Sequence, residues 1–349
     1  MQPPPTTGVA RFPKGLQFKA DDRKGRTIDL LVYEIAVIGE SDNFVEVRVI
    51  LDTVAPKIFE IQRHVAYAFM QQGIAEPKLD PTTNVPVQYK SWPIPGPYSS
   101  GDAPHPWDVI QGAKNNCRIL SALQVLALCR PTFLMNALTF DAAAETCTIR
   151  LRRTPGPTEV AATNAPFEPF TFSTALPCKW APGAPQLVYA GADTDTTYLP
   201  LWSCFFEKAL ATMWGGYGAL TGAEERSLMS ALGVNDVITL HFDRLDRTGE
   251  VNTAGWSKSM KDAFAAKRPM TTFIMGKQHN YGVVGVNDAG VIICDPNSRQ
   301  IGDYFERWQG NHKVFNGQTT TLQQSVNFPM FLTWDQYFTN FMWVHIFQI

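Results

Sequence analysis

Residues 111–131, QGAKNNCRILSALQVLALCRP, decide the fold. From Cys117 onward the apolar positions Ile119, Leu120, Leu123, Leu126 and Ala127 recur three and four apart, which predicts a helix. Asn115 or Asn116 is placed to cap its start. Arg130-Pro131 stops it, because the residue before a proline is pushed out of the helical region. A cysteine therefore opens an apolar helix, where unpaired N–H groups concentrate partial positive charge. That setting favours the thiolate, the nucleophilic form of the side chain. Gln111 lies six residues upstream on the turn-rich approach loop. It can aim an amide beside the nucleophile, so that Gln111 and the Cys117 N–H would hold an oxyanion.

A thiolate that attacks a carbonyl needs a base, and the base needs a group that fixes its tautomer. Downstream, residues 276–296 read GKQHNYGVVGVNDAGVIICDP. Tyr281–Asn287 and Gly290–Cys294 read as strands joined by a turn at Asn287–Gly290. That hairpin brings the ends of its two strands side by side. It predicts His279, the base, next to Asp295, the orienting group, sixteen residues later.

Around these segments the chain reads as α+β. Residues 1–15, rich in Pro and Thr, suggest a mobile arm. Asp29–Val37 and Phe44–Val54 read as strands around a turn at Gly39–Asn43, and Ile58–Gln72 as a helix. Residues 74–106 are rich in proline and read as a linker, with a domain boundary near residue 92. Further strands are expected at Thr146–Arg152, Leu187–Ala190, Val237–Phe242, Thr271–Met275 and Phe341–Phe347, and a loop at 154–170. Helices are expected at Trp202–Trp214, ended by Gly215-Gly216, and at Ser257–Lys267. Thr221–Glu224 and Thr333–Gln336 have the form of capping boxes. On the first of these helices Trp202, Phe205 and Trp214 read as core, as does Tyr217 just beyond it. Glu207 and Lys208 read as a solvated face. The texture turns from helical to strand-rich near residue 236. The expected units are thus an N-terminal α+β unit over 1–92, a Cys117-bearing unit over 93–235 and a unit over 236–349 that carries His279 and Asp295.

Composition bounds the function. In 349 residues, 45% hydrophobic and 18% charged, a large globular core is available. The formal net charge of -2 offers no field for nucleic acid or an anionic membrane surface. No apolar run is long enough to span a bilayer, and the N-terminus lacks the apolar segment of a secretory signal, so a cytoplasmic setting is expected. The six cysteines form no CxxC pair, so zinc spacing is absent and reduced thiols are expected.

Together these residues resemble the catalytic core of the calpain family of papain-like cysteine proteases. The family's Gln-Gly-x-x-Gly-Asp-Cys-Trp is similar to Gln111-Gly112-Ala113-Lys114-Asn115-Asn116-Cys117-Arg118. Its long helix motif resembles Trp202 to Gly222, with Glu207, Lys208, Ala209, Tyr217 and Leu220 in matching places. Its histidine motif resembles His279-Asn280-Tyr281-Gly282-Val283, and its closing element Trp334-Asp335-Gln336-Tyr337-Phe338 through Phe341. The matches fall in family order over residues 93–349. The resemblance implies two subdomains facing across a cleft, a thiol endopeptidase acting on proteins or peptides, and catalytic roles for Cys117, His279 and Gln111. It departs in four places. Asn115-Asn116 replaces Gly-Asp, Arg118 replaces a tryptophan, Asp295 stands where the family has its catalytic asparagine, and Asn297 replaces the tryptophan that shields the pair. Trp308 is the replacement shield considered, and Asn297 the alternative orienting residue. The family commonly binds calcium through acidic loops, and those loops are not found here. Two other functions fit less of the pattern: a calpain-like fold kept for binding or scaffolding, and a thiol acyltransferase of transglutaminase type.

Overall fold

The computed structural model describes residues 9–41, 43–51, 55–80, 87–90, 97–98, 103–112, 114–181, 184–190, 200–242, 252–274, 279–297 and 329–349. The fold is mixed α+β, and the strands pair antiparallel throughout the described residues.

The first unit is a sheet in the order β4-β3-β2-β1-β5, built from β1 (Val9–Asp21), β2 (Thr27–Ser41), β3 (Phe44–Ile50), β4 (Lys57–Gln62) and β5 (Ile74–Ala75). Two expectations change here. Residues 9–15 belong to β1 rather than to an arm, and residues 1–8 lie outside the described residues. Pro13 fits the strand because the register with β2 shifts between Arg11 and Leu16, a bulge that removes the need for its N–H. The expected helix from Ile58 begins only at α1 (Arg63–Met70). Before it, β4 pairs along β3, burying Ile61 and leaving Ile58 57% exposed. Pairing with a partner strand overrides the helical period of the sequence. Phe69 of α1 packs on Phe12 and Phe18, each with ring centroids 4.6 Å away.

The middle unit is centred on α2 (Cys117–Cys129), which begins and ends where the sequence predicts. Eleven of its 13 residues are buried, so it is a core helix apolar nearly all round. Pro131 opens α3 (Pro131–Ala137), a place that suits a residue without an N–H. Around them lie a sheet of β7 (Leu138–Asp141), β8 (Thr146–Arg152) and β9 (Phe167–Ser173), and another of β6 (Val87–Lys90), β10 (Leu176–Ala181) and β11 (Ala184–Leu187). The expected strand Leu187–Ala190 therefore ends where it was to begin. β6 pairs with β10 from Lys90 to Val87, so hydrogen bonding crosses the expected boundary near residue 92. α4 (Trp202–Met213) ends at Gly215, whose φ of +86° favours glycine. α5 (Glu225–Ala231) has Glu224, not Thr221, at its N-cap; the Glu224 N–H donates to Pro157 O at 2.9 Å instead of closing a capping box.

The last unit is a six-stranded sheet, β12-β17-β13-β14-β15-β16. Its strands are β12 (Val237–His241), β13 (Met270–Ile274), β14 (His279–Val286), β15 (Gly290–Cys294), β16 (Met330–Thr333) and β17 (Phe341–Phe347). It carries α6 (Thr253–Ala265) and α7 (Trp334–Asn340), and the capping box at Thr333 forms as written in the sequence. α2 lies against β14. A Cβ on Gly282 would come within 3.0 Å of Val125 Cγ1 and 3.4 Å of Ser121 O, so the helix and strand approach closely there and a larger residue would make Val125 shift. Beside it the Asn280 amide donates to Ser121 Oγ at 2.7 Å, with both residues fully buried.

The first two units are joined by residues 76–80. Glu76 pairs with Lys208 of α4, whose ammonium also donates to Ser173 O at 2.8 Å and Ala175 O at 2.6 Å. Lys208 lies near the faces of Tyr89 and Phe172. Asp80 pairs with Lys114, and Tyr217 N donates to Lys78 O at 2.8 Å. Lys208 and Glu207 are thus buried, at 0% and 1% exposed, and not a solvated face; each has polar partners far away in sequence that offset the loss of water. Among the described residues no single helix is long and apolar enough to cross a membrane; α2 and α3 together reach that length but are bent by 113°.

Removing one member of a buried ion pair strands the other charge. Lys208→Met is expected to lower stability in urea denaturation by about 3–5 kcal/mol, and a loss below about 1 kcal/mol would contradict the pairing with Glu76.

Candidate active site

Cys117 is the first residue of α2 and is 4% exposed. Asn116 holds the N-cap place, yet its side chain does not cap the helix. Its amide donates instead to Glu207 Oε1 at 2.6 Å. Glu207 Oε2 accepts from Ala190 N at 2.7 Å. Burial pushes the Glu207 carboxyl up to about 7, against these hydrogen bonds and the nearby Lys114 charge. Asn115 turns its side-chain oxygen to within 4.0 Å of Cys117 Sγ.

His279 opens β14, and Asp295 follows β15 directly. The strands pair through Gly282↔Cys294 and Val286↔Val291. Asn287 builds the connecting turn by accepting from Ala289 N at 2.8 Å and Gly290 N at 3.0 Å. The hairpin brings His279 Nε2 to 2.7 Å from Asp295 Oδ1. The Cys117 side chain also acts on the ring, its hydrogen bonding and its charge both raising the imidazole pKa. Burial depresses the imidazole pKa, but the bonds to Asp295 and Cys117 and their charges outweigh it, and the result is about 9. By contrast, burial pushes the Cys129 thiol up to about 11 and Cys147 up to about 12, which keeps both protonated. All six cysteines are free thiols.

The turn Asp295-Pro296-Asn297 is fastened at several points. Asp295, 2% exposed, accepts from Asn297 N at 2.8 Å through the same Oδ1 that faces the imidazole. Asn297 therefore steadies the aspartate through its backbone, while the contact to the ring is made by Asp295. Pro296 O accepts from Gln111 N at 2.6 Å, which ties the loop before Cys117 to the loop after β15. The Gln111 side chain is turned toward its own loop, donating to Lys114 O at 2.7 Å.

Tyr281, which the sequence presents as a strand residue and part of the histidine motif, also belongs to the site. Its ring stands edge-on to His279, with centroids 4.9 Å apart and planes at 88°, and is backed by Phe341 at 5.7 Å. Residues two apart on a strand share a face, so the spacing to His279 was the available signal. Trp308, considered as a shield, lies outside the described residues. Arg118 spreads over the Phe273 ring at 5.1 Å and pairs with Glu224 at 3.2 Å and Glu225 at 3.7 Å. Glu225 also holds His345 Nδ1 at 2.6 Å. These contacts join α2 and α5 to β13 and β17. Among the described residues no group of three or more His, Cys, Asp or Glu gathers to hold a metal ion.

A comparison with models of known protein families finds no match, and none is found among curated proteins.

The geometry makes the charge on His279 depend on its two neighbours. In NMR titrations of the ring protons, Cys117→Ala and Asp295→Ala are each expected to lower the His279 pKa from its value of about 9. A value left near 9 in both variants would contradict the arrangement.

Proposed function

We propose that the protein is a cysteine endopeptidase of papain-like arrangement, resembling calpains, with a Cys117-His279-Asp295 triad. One observation carries the reading: a single imidazole lies 2.7 Å from Asp295, and its pKa is raised both by Asp295 and by the cysteine that opens a buried helix. A protonated imidazole and a helix N-terminus both favour a thiolate at that position. That the base and its orienting group come from an antiparallel hairpin and the nucleophile from a separate helix supports the reading.

The Cys117 thiolate attacks the peptide carbonyl carbon and forms a C–S bond. The negative charge on the carbonyl oxygen is met by the Cys117 N–H and by Gln111. An amide carries two N–H donors, so the bond to Lys114 leaves one for the oxyanion. As the C–N bond breaks, the His279 proton passes to the departing amine. Water then attacks the thioester and gives a proton to His279, which releases the acid and restores the pair. Asp295 keeps the ring oriented and stabilises its charged form. Tyr281 excludes water from one side of the ring.

An aspartate in the third place is equally the choice of a transglutaminase-type acyltransferase, in which an amine takes the place of water. Ammonia release with amine incorporation, and no peptide cleavage, would favour that reaction.

Incubation with an epoxide thiol inhibitor, followed by mass spectrometry, is expected to place the adduct on Cys117. Casein cleavage should vanish in Cys117→Ala. A wild type that forms no adduct on Cys117 would overturn the proposal. The raised His279 pKa also sets the alkaline limit. The acid that protonates the amine is present below about pH 9 and is lost as pH rises through it, so cleavage should decline there. A rate still rising well above that pH would contradict the role of His279.

A further inference from the structure

The loop 111–116 supplies Gln111 and ends against Cys117. The geometry points to a fourth residue in its chemistry: we propose that Glu207 of α4 is a positioning residue that sets the Cys117 sulfur through Asn116. This inference rests on reading Cys117 as the nucleophile and goes beyond the triad.

Glu207 is 1% exposed and 91 positions from Asn116 in sequence. Its Oε1 accepts from the Asn116 amide at 2.6 Å, and its Oε2 from Ala190 N at 2.7 Å. A buried carboxylate costs stability unless its partners compensate, so a site that is merely packed would favour an apolar side chain. Here the carboxylate joins two chain segments. Asn116 is the N-cap residue, 1% exposed, and its side chain forgoes the helix cap to reach Glu207. Its backbone carbonyl accepts from Leu120 N at 3.2 Å, in the first turn of α2. Fixing the Asn116 side chain therefore fixes the peptide that leads into Cys117. On the other side, Val188 and Tyr189 close on the loop so tightly that a Cβ on Gly112 would overlap the Tyr189 carbonyl oxygen. Ala190, held by Glu207, is the next residue of that segment. One carboxylate thus pins both the loop and the segment that packs on it.

Asn116 Oδ1 is buried and has no hydrogen-bond partner. Rotation of the Asn116 amide would present this oxygen to a glutamine at position 207, whose own oxygen would still accept from Ala190 N. Glu207→Gln is therefore a conservative replacement that keeps both links, and Glu207→Leu removes both.

The test measures the second-order rate at which iodoacetamide alkylates Cys117, by mass spectrometry on folded protein, together with kcat and KM for casein cleavage and the melting temperature. Cys117 in the wild type is expected to react faster than Cys129. If it does not, the nucleophile reading itself fails. Given a reactive wild type, Glu207→Leu is expected to slow alkylation and lower kcat by about 10- to 100-fold with KM little changed, since small misplacement of a reacting group carries that penalty. Glu207→Gln should restore most of the rate. A folded Glu207→Leu with wild-type alkylation and kcat would overturn the inference and leave the triad intact. So would equal losses in the leucine and glutamine variants. If Glu207→Leu does not fold, Asn116→Ala breaks the same link from the other side. A reduced kcat there supports the inference, and an unchanged one overturns it.

Discussion

The approach of α2 to β14 is the constraint on which the site depends. Gly282 leaves the room that lets Val125 and the Ser121 carbonyl come against the strand, and Asn280 bonds to Ser121 across the same contact. A helix and a strand held so closely have little freedom to slide. Cys117 begins that helix and His279 begins that strand, so their separation follows from packing and not from flexible side chains. The hairpin then adds Asp295 from the neighbouring strand. His279 and Asp295 meet, and Cys117 opens the helix packed on the same strand, because one helix, two strands and a four-residue turn are fixed relative to one another.

Around this contact the protein spends several buried charges. Glu76 with Lys208, Asp80 with Lys114, and Glu225 with Arg118 and His345 all sit in surroundings where an isolated charge would be costly. They lie at seams: between the first sheet and α4, between residues 76–80 and the loop before Cys117, and between α5 and the last sheet. Apolar packing does not discriminate strongly among nearby registers, whereas a buried charge left without its partner is heavily penalised. The distribution of these pairs therefore favours one arrangement of the three units, and with it one position of the loop that carries Gln111.

Much of the site was legible because its signals are local. The apolar period from Cys117 and the proline after Arg130 bound α2, and the Asn287 turn fixes the hairpin register that places Asp295 beside His279. What the sequence hid depends on distant partners. β1 and β4 form because neighbouring strands take up their backbone groups, which no periodicity within them records. Thr221 and Thr333 both head capping-box patterns, but only Thr333 is realised, since Pro157 claims the Glu224 N–H. Glu207 and Lys208 look like a wet helix face because acidic and basic residues usually are one. Their partners Asn116, Ala190, Glu76 and Ser173 come from four other segments. The direction of the Gln111 amide was likewise decided by an unforeseen acceptor, the Lys114 carbonyl.

The central claim is that packing of α2 on β14 delivers the Cys117 sulfur to the imidazole that Asp295 orients. Crystallography of the protein measures this directly, as the distance from Cys117 Sγ to His279 Nδ1. The account predicts a separation within hydrogen-bonding reach, with Nε2 on Asp295. A sulfur turned away from the ring, or an imidazole bound to another acceptor while α2 still rests on Gly282, would contradict it.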